Sequence, residues 1–126
     1  MTQRDAGSIL IEALVSVAVV AAVLAALFQT IEAAALHRRA AAARREALLV
    51  AESELAAVGS AIGVSPGEVA GADGAYRWRV RIDPPIQETL ETSRAGLLYP
   101  VEVSVGPAAG GPDLVSLKTL RVAPAT

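Results

Sequence analysis

Apolar residues are continuous over residues 8–28, recur every three or four positions over residues 48–62, and alternate with polar ones from residue 76 onward. The first stretch reads Ser-Ile-Leu-Ile-Glu-Ala-Leu-Val-Ser-Val-Ala-Val-Val-Ala-Ala-Val-Leu-Ala-Ala-Leu-Phe, 21 residues. As a helix it reaches roughly 30 Å, the thickness of a bilayer's hydrocarbon core. No Pro and no Gly occurs from Ser8 to Val58. Both interrupt helices, so a single long helix is predicted. Residues 29–60, rich in Ala, Arg, Glu and Leu, continue it. Leu48, Ala51, Leu55, Val58 and Ile62 form one apolar stripe, with Glu52 and Glu54 off it, and the stripe is expected to pack on a sheet of the same chain. Residues 29–45 carry only Ile31 and Leu36 as large apolar residues, which predicts a solvated surface or packing on other helices through alanine. Gly59 and Gly63 mark the expected helix end.

Beyond the helix the period shortens to two. Residues 63–75 are turn chemistry: six Gly, Pro or Asp residues fall among mostly small ones. Tyr76, Trp78, Val80 and Ile82 then face one way and Arg77, Arg79 and Arg81 the other, a half-buried strand. Asp83, Pro84 and Pro85 stop it, and polar residues 86–96 are expected as a loop. In residues 97–105, Tyr99, Val101, Val103 and Val105 alternate with outward Glu102 and Ser104. A turn is expected over residues 106–112, then a hairpin partner over residues 114–122 with the loosest alternation of the three strands. Short strands joined by Gly/Pro-rich connections imply an antiparallel sheet. The predicted fold class is α+β: a long N-terminal helix, membrane-spanning in its first half, on a small antiparallel β domain over residues 61–126.

Composition narrows the function. Of 126 residues, about 30 are taken by leader and anchor, leaving room for one small domain. The net charge of −2 argues against nucleic acid as a partner. The chain has no Cys, so neither a disulfide framework nor a thiolate metal site is available. Three of the four aromatics, Tyr76, Trp78 and Tyr99, lie in the C-terminal half, with Phe28 the exception, which places the globular core there.

Glu12 is the only charge between Ser8 and Phe28. A carboxylate deep in lipid costs on the order of 2–3 kcal/mol when unpaired, so a sequence that keeps one has a partner for it. Gly7 immediately precedes the run, and Glu12 is the fifth residue after it. Gly, then an apolar segment with Glu at its fifth position, resembles the N-terminus of type IV pilins and of the pseudopilins of type II secretion systems. The resemblance implies a leader over residues 1–7, cleavage after Gly7 by a prepilin peptidase on the cytoplasmic side, and methylation of the new amino group on Ser8. It implies that Glu12 meets the N-terminal amine of a neighbouring subunit. The chain departs from the family in carrying Ser8 where Phe or Met is usual; cleavage depends mainly on the Gly. Two looser matches point the same way. Residues 47–56 resemble the Ala/Leu-rich helix end of I-type minor pseudopilins, and residues 74–80 resemble their Gly, aromatic, Trp strand. An H- or J-type pseudopilin or a minor type IV pilin has similar features.

The implied function is structural. The precursor sits in the bacterial inner membrane as a single-pass protein with its C-terminal domain periplasmic. It joins other minor pseudopilins and the major pseudopilin, initiating or capping a filament for export across the outer membrane. No enzyme activity, cofactor or metal is expected. Different classes compete. One is a membrane-anchored binding domain using Arg77, Arg79 and Arg81; another is a small β domain released by signal peptidase near Ala25 or Ala35. A secretory signal has an apolar core of about 7–15 residues, shorter than this run, and seldom an acid near its start. The arginines after the span, Arg38, Arg39, Arg44 and Arg45, outnumber Arg4 before it, so a positive-inside count opposes the orientation that the resemblance implies. His37 is read as a solvated helix residue, the Arg row as an outer face paired with Glu102, and Glu68, Asp73 and Asp83 as loop acids with no calcium spacing.

Overall fold

The computed structural model describes residues 3–86 and 96–124. One helix precedes four strands: α1 Gln3–Ala57, β1 Gly67–Asp73, β2 Tyr76–Ile82, β3 Leu97–Pro107 and β4 Val115–Ala123. The strands form one antiparallel sheet in sequence order. The α+β class is thus the one the periodicity predicts. The chain divides into two compact units, Met1–Ala40 and Ala41–Thr126.

In the first unit every residue from Asp5 onward is exposed. Leu10, Val17 and Phe28 show 64%, 67% and 66% of their surface. Apolar side chains surround the helix axis here, so no single face is reserved for a core. By length and composition this helix can span a membrane.

The second unit holds the last four turns of α1 and the sheet. Its core joins Ala47, Ala51 and Val58 to Val80, Ile82, Val101, Val103 and Val105. Ala47 and Ala51 are fully buried and one turn apart. These small side chains share one buried cluster with the valines of the sheet. Most of the expected stripe faces the core: Ala51 and Val58 are buried, and Leu55 and Ile62 pack against them. One position differs, since Leu48 is 37% exposed and Ala47 is inside; Glu54 is half-buried. Alanine carries little hydrophobic weight in a sequence pattern, so the larger Leu48 stands out in place of Ala47.

α1 ends at Ala57, three residues before the expected limit. Ser60 and Ile62 donate to the Ala57 carbonyl at 3.1 and 2.9 Å, and Gly59 turns the chain with a φ of +97°. That left-handed conformation favours glycine and closes the helix.

Residues 67–73, expected as part of a turn region, form β1. It pairs with β2 through a two-residue connection, Gly74 and Ala75, with Gly74 at a φ of +56°. Its composition hides it: Val69 is its only β-branched residue, and β1 gains its order from β2 rather than from propensity. Gly71 has a packing role. A Cβ there would lie 2.5 Å from the Trp78 ring, so the indole occupies the space a side chain would need.

β3 carries Pro100 in mid-strand. The Pro100 carbonyl accepts from Asp83 N at 2.9 Å, beyond the end of β2. The imide nitrogen faces the same flank, where Pro84 and Pro85 follow, so no ladder bond is lost inside the β2–β3 pairing. The expected turn after β3 starts later than residue 106, because β3 continues to Pro107. The polar loop expected over residues 86–96 lies, except for Ile86 and Gly96, outside the described residues.

Trp78 is the only tryptophan, which makes its contact with Gly71 measurable. Gly71→Ala is expected to cost about 1–3 kcal/mol, the usual range for overpacking. Denaturant unfolding of the full chain in detergent micelles, followed by Trp78 emission, is expected to show a lowered midpoint and an altered native spectrum.

Candidate functional site

Gly7, Ser8 and Glu12 all lie on α1 and all are exposed. Helix starts at Gln3, so the short segment expected as a separate leader is continuous with α1. Gly7 has open space where a Cβ would stand, with no heavy atom within 4 Å. Glycine costs a helix about 1 kcal/mol relative to alanine, so Gly7 lowers the helix propensity of this first stretch. Ser8 and Glu12 are four residues apart and share one face, one turn from each other. Ser16 Oγ donates to the Glu12 backbone carbonyl at 2.9 Å and leaves the carboxylate untouched. Among the described residues no cation or hydrogen-bond donor reaches that carboxylate.

The arginine row on β2 is different in kind. All three arginines project from the outer face of the sheet, and each meets a carboxylate. Arg77 donates to the carbonyls of Pro107 and Gly111 and lies 3.4 Å from Asp113, so it clamps the β3–β4 turn. Arg79 pairs with Glu68 at 3.0 Å. Arg81 pairs with Asp83 at 3.3 Å and with Glu102 at 2.9 Å. The second contact is the cross-strand pair expected from the alternation. Glu102 also accepts from Ser116 Oγ at 2.9 Å and lies 3.7 Å from Lys118. The Ser116 hydrogen bond, aided by Lys118 and Arg81, holds the Glu102 carboxyl below its ordinary range. A depression of about 90 Å³ on this side is lined by Ala70, Gly71, Arg77, Trp78, Arg79, Ser104 and Asp113. Ligand pockets run to about 300–1,000 Å³, so it is too small for a metabolite.

Two polar contacts fasten the second unit's helix to its sheet. Tyr76 OH donates to Glu46 at 2.7 Å, which raises the phenol's pKa. Arg121 Nη2 donates to the Leu55 carbonyl at 2.9 Å. Leu55 lies in the last turn of α1, where carbonyls lack helical partners and a cation suits the dipole. The alternation Val115, Leu117, Thr119 already puts Arg121 on the inner face, and that parity was the available signal. Glu54 has its pKa raised, first by burial and then by the charge of Asp73. Of the three acids expected in loops, Glu68 and Asp73 lie on β1 instead, and Glu68 and Asp83 are paired with arginines. Among the described residues no three His or acidic groups converge as a metal would require. His37 is exposed on α1.

Chemically, the sheet face is a structural ion network, whereas the Glu12 carboxylate has no partner among the described residues. No protein-family model, characterised protein or solved structure matches this chain.

A carboxylate with a lowered pKa stabilises the fold above its unfolded value, near 4.5, and that stability is lost as pH falls through the lowered value. The wild type is expected to have a lower denaturation midpoint at about pH 3 than at about pH 6. Glu102→Gln is expected to shrink that difference while weakening the protein at the higher pH. An unchanged pH difference would show that Glu102 does not carry it.

Proposed function

We propose that this chain is a minor pseudopilin of a type II secretion system, of the I-type. The observation that carries the reading is Glu12: one carboxylate with no partner among the described residues, on a helix whose apolar surface is exposed from Ile9 to Phe28. Twelve large apolar residues lie between Ile9 and Phe28. At about 0.3–0.6 kcal/mol each they favour insertion by roughly 4–7 kcal/mol, against about 2–3 kcal/mol for Glu12. Insertion therefore wins with the acid present. The residual cost is removed when a cation arrives.

In this reading the peptidase cuts after Gly7 and exposes a cationic amine on Ser8, which is then methylated. Ser8 and Glu12 share a face, so each subunit offers a cation and an anion one helical turn apart. A neighbour shifted along the helix axis matches its amine to Glu12 and cancels both charges in apolar surroundings. Alanines 18, 21, 22, 25 and 26 allow the close approach of helices that such packing requires. The subunit is anchored in the inner membrane with the sheet domain periplasmic. It joins other minor pseudopilins to start or cap the pseudopilus, beneath which the major pseudopilin adds. Force comes from an ATPase elsewhere, and this chain binds no cofactor.

Glu12→Ala is expected to leave membrane insertion intact and to lower co-purification of other pseudopilins at least tenfold, as loss of one charge pair in an apolar setting predicts. Undiminished co-purification would remove the docking role of Glu12.

A further inference from the structure

Among the described residues the sheet has two edges: β1 bonds only to β2, and β4 only to β3. β1 contains two acids, Glu68 and Asp73, and no base; β4 contains two bases, Lys118 and Arg121, and no acid. The register places Glu68, Arg81, Glu102 and Lys118 side by side in one row across the four strands. The row alternates in sign, begins with an anion at one edge and ends with a cation at the other. Lys118 is 75% exposed, and its nearest carboxylate is at 3.7 Å. The adjoining row on the opposite face runs Val69, Val80, Val103, Leu117, and Val69 at its edge remains 45% exposed.

Three antiparallel steps separate the edges, so β1 and β4 run in opposite directions. A second copy set beside the first in the same orientation brings its β1 antiparallel to β4, with the same face outward. We propose that two copies join in this way, Glu68 of one opposite Lys118 of the next. The charge row then continues its alternation across the junction, and Val69 gains Leu117 as a neighbour. An edge lysine ordinarily discourages strand addition. Here it opposes a second β4 but matches the acidic β1, so it selects the head-to-tail pairing. Such a contact is heterologous and does not close after two copies. It is independent of Glu12 and of the secretion reading.

The lack of cysteine makes the test direct. In the proposed register Ala70 of one copy lies opposite Ser116 of the next. Full-length chains carrying Ala70→Cys, Ser116→Cys or both are treated with a short bismaleimide in detergent micelles. The double variant is expected to give a ladder, an equimolar mixture of the single variants to stop at dimer, and each single variant alone to stay monomeric. Lys118→Glu in the double variant is expected to reduce the ladder at least fivefold while Trp78 emission stays native; Lys118→Arg is expected to keep it. Dimers from Ser116→Cys alone would mean β4–β4 pairing. They would overturn the proposal, as would cross-linking to other proteins only or no cross-link at all.

Discussion

Exposed apolar surface around the whole circumference of a helix has one physical consequence: that helix cannot rest in water. From Ile9 to Phe28, α1 presents large aliphatic side chains in every direction, and no other part of its unit covers them. Lipid or other helices must. Into this surface the chain places Glu12, whose cost in such surroundings is real but smaller than the gain from its neighbours. The segment is therefore membrane-compatible, and in the proposed reading a cation from a neighbouring subunit neutralises Glu12.

The sheet domain meets its own requirements internally. Its buried core is built from valines, Ile82 and two alanines, with Leu55, Ile62, Tyr76, Trp78 and Tyr99 packed around it. On the inner side Tyr76 is tied to Glu46 and Arg121 Nη2 to the end of the helix, while Arg121 Nε is buried without a partner among the described residues. On the outer side the arginines are neutralised across strands. A face built this way has little charge left for a ligand, which separates it from the anion-binding reading that three arginines on one strand invite. What remains unsatisfied is the edge, where the charge row stops without a neighbour.

Much of this was legible in the residues. Strict alternation in Tyr76 to Ile82 and in Tyr99 to Val105 sets both central strands and their inner faces, because a one-residue slip would bury charge. The Glu102 pairing was legible for the same reason. β1 was not, since Gly-Glu-Val-Ala-Gly-Ala-Asp has the composition of a turn and becomes a strand only against β2. The first position of the helix stripe was hidden because Ala47, not Leu48, fills it, with a single methyl group. Glu12 was visible as an isolated charge, and the structure adds that nothing among the described residues of its own chain answers it.

In the proposed reading, assembly through Glu12 depends on an amine created on Ser8 of a neighbouring subunit. The most direct measurement is the N-terminal residue of the protein isolated from the membranes of its own host. Maturation after Gly7 predicts a chain that starts at Ser8, shortened by its first seven residues. A chain that retains Met1, or starts near the end of the apolar run, would contradict the account.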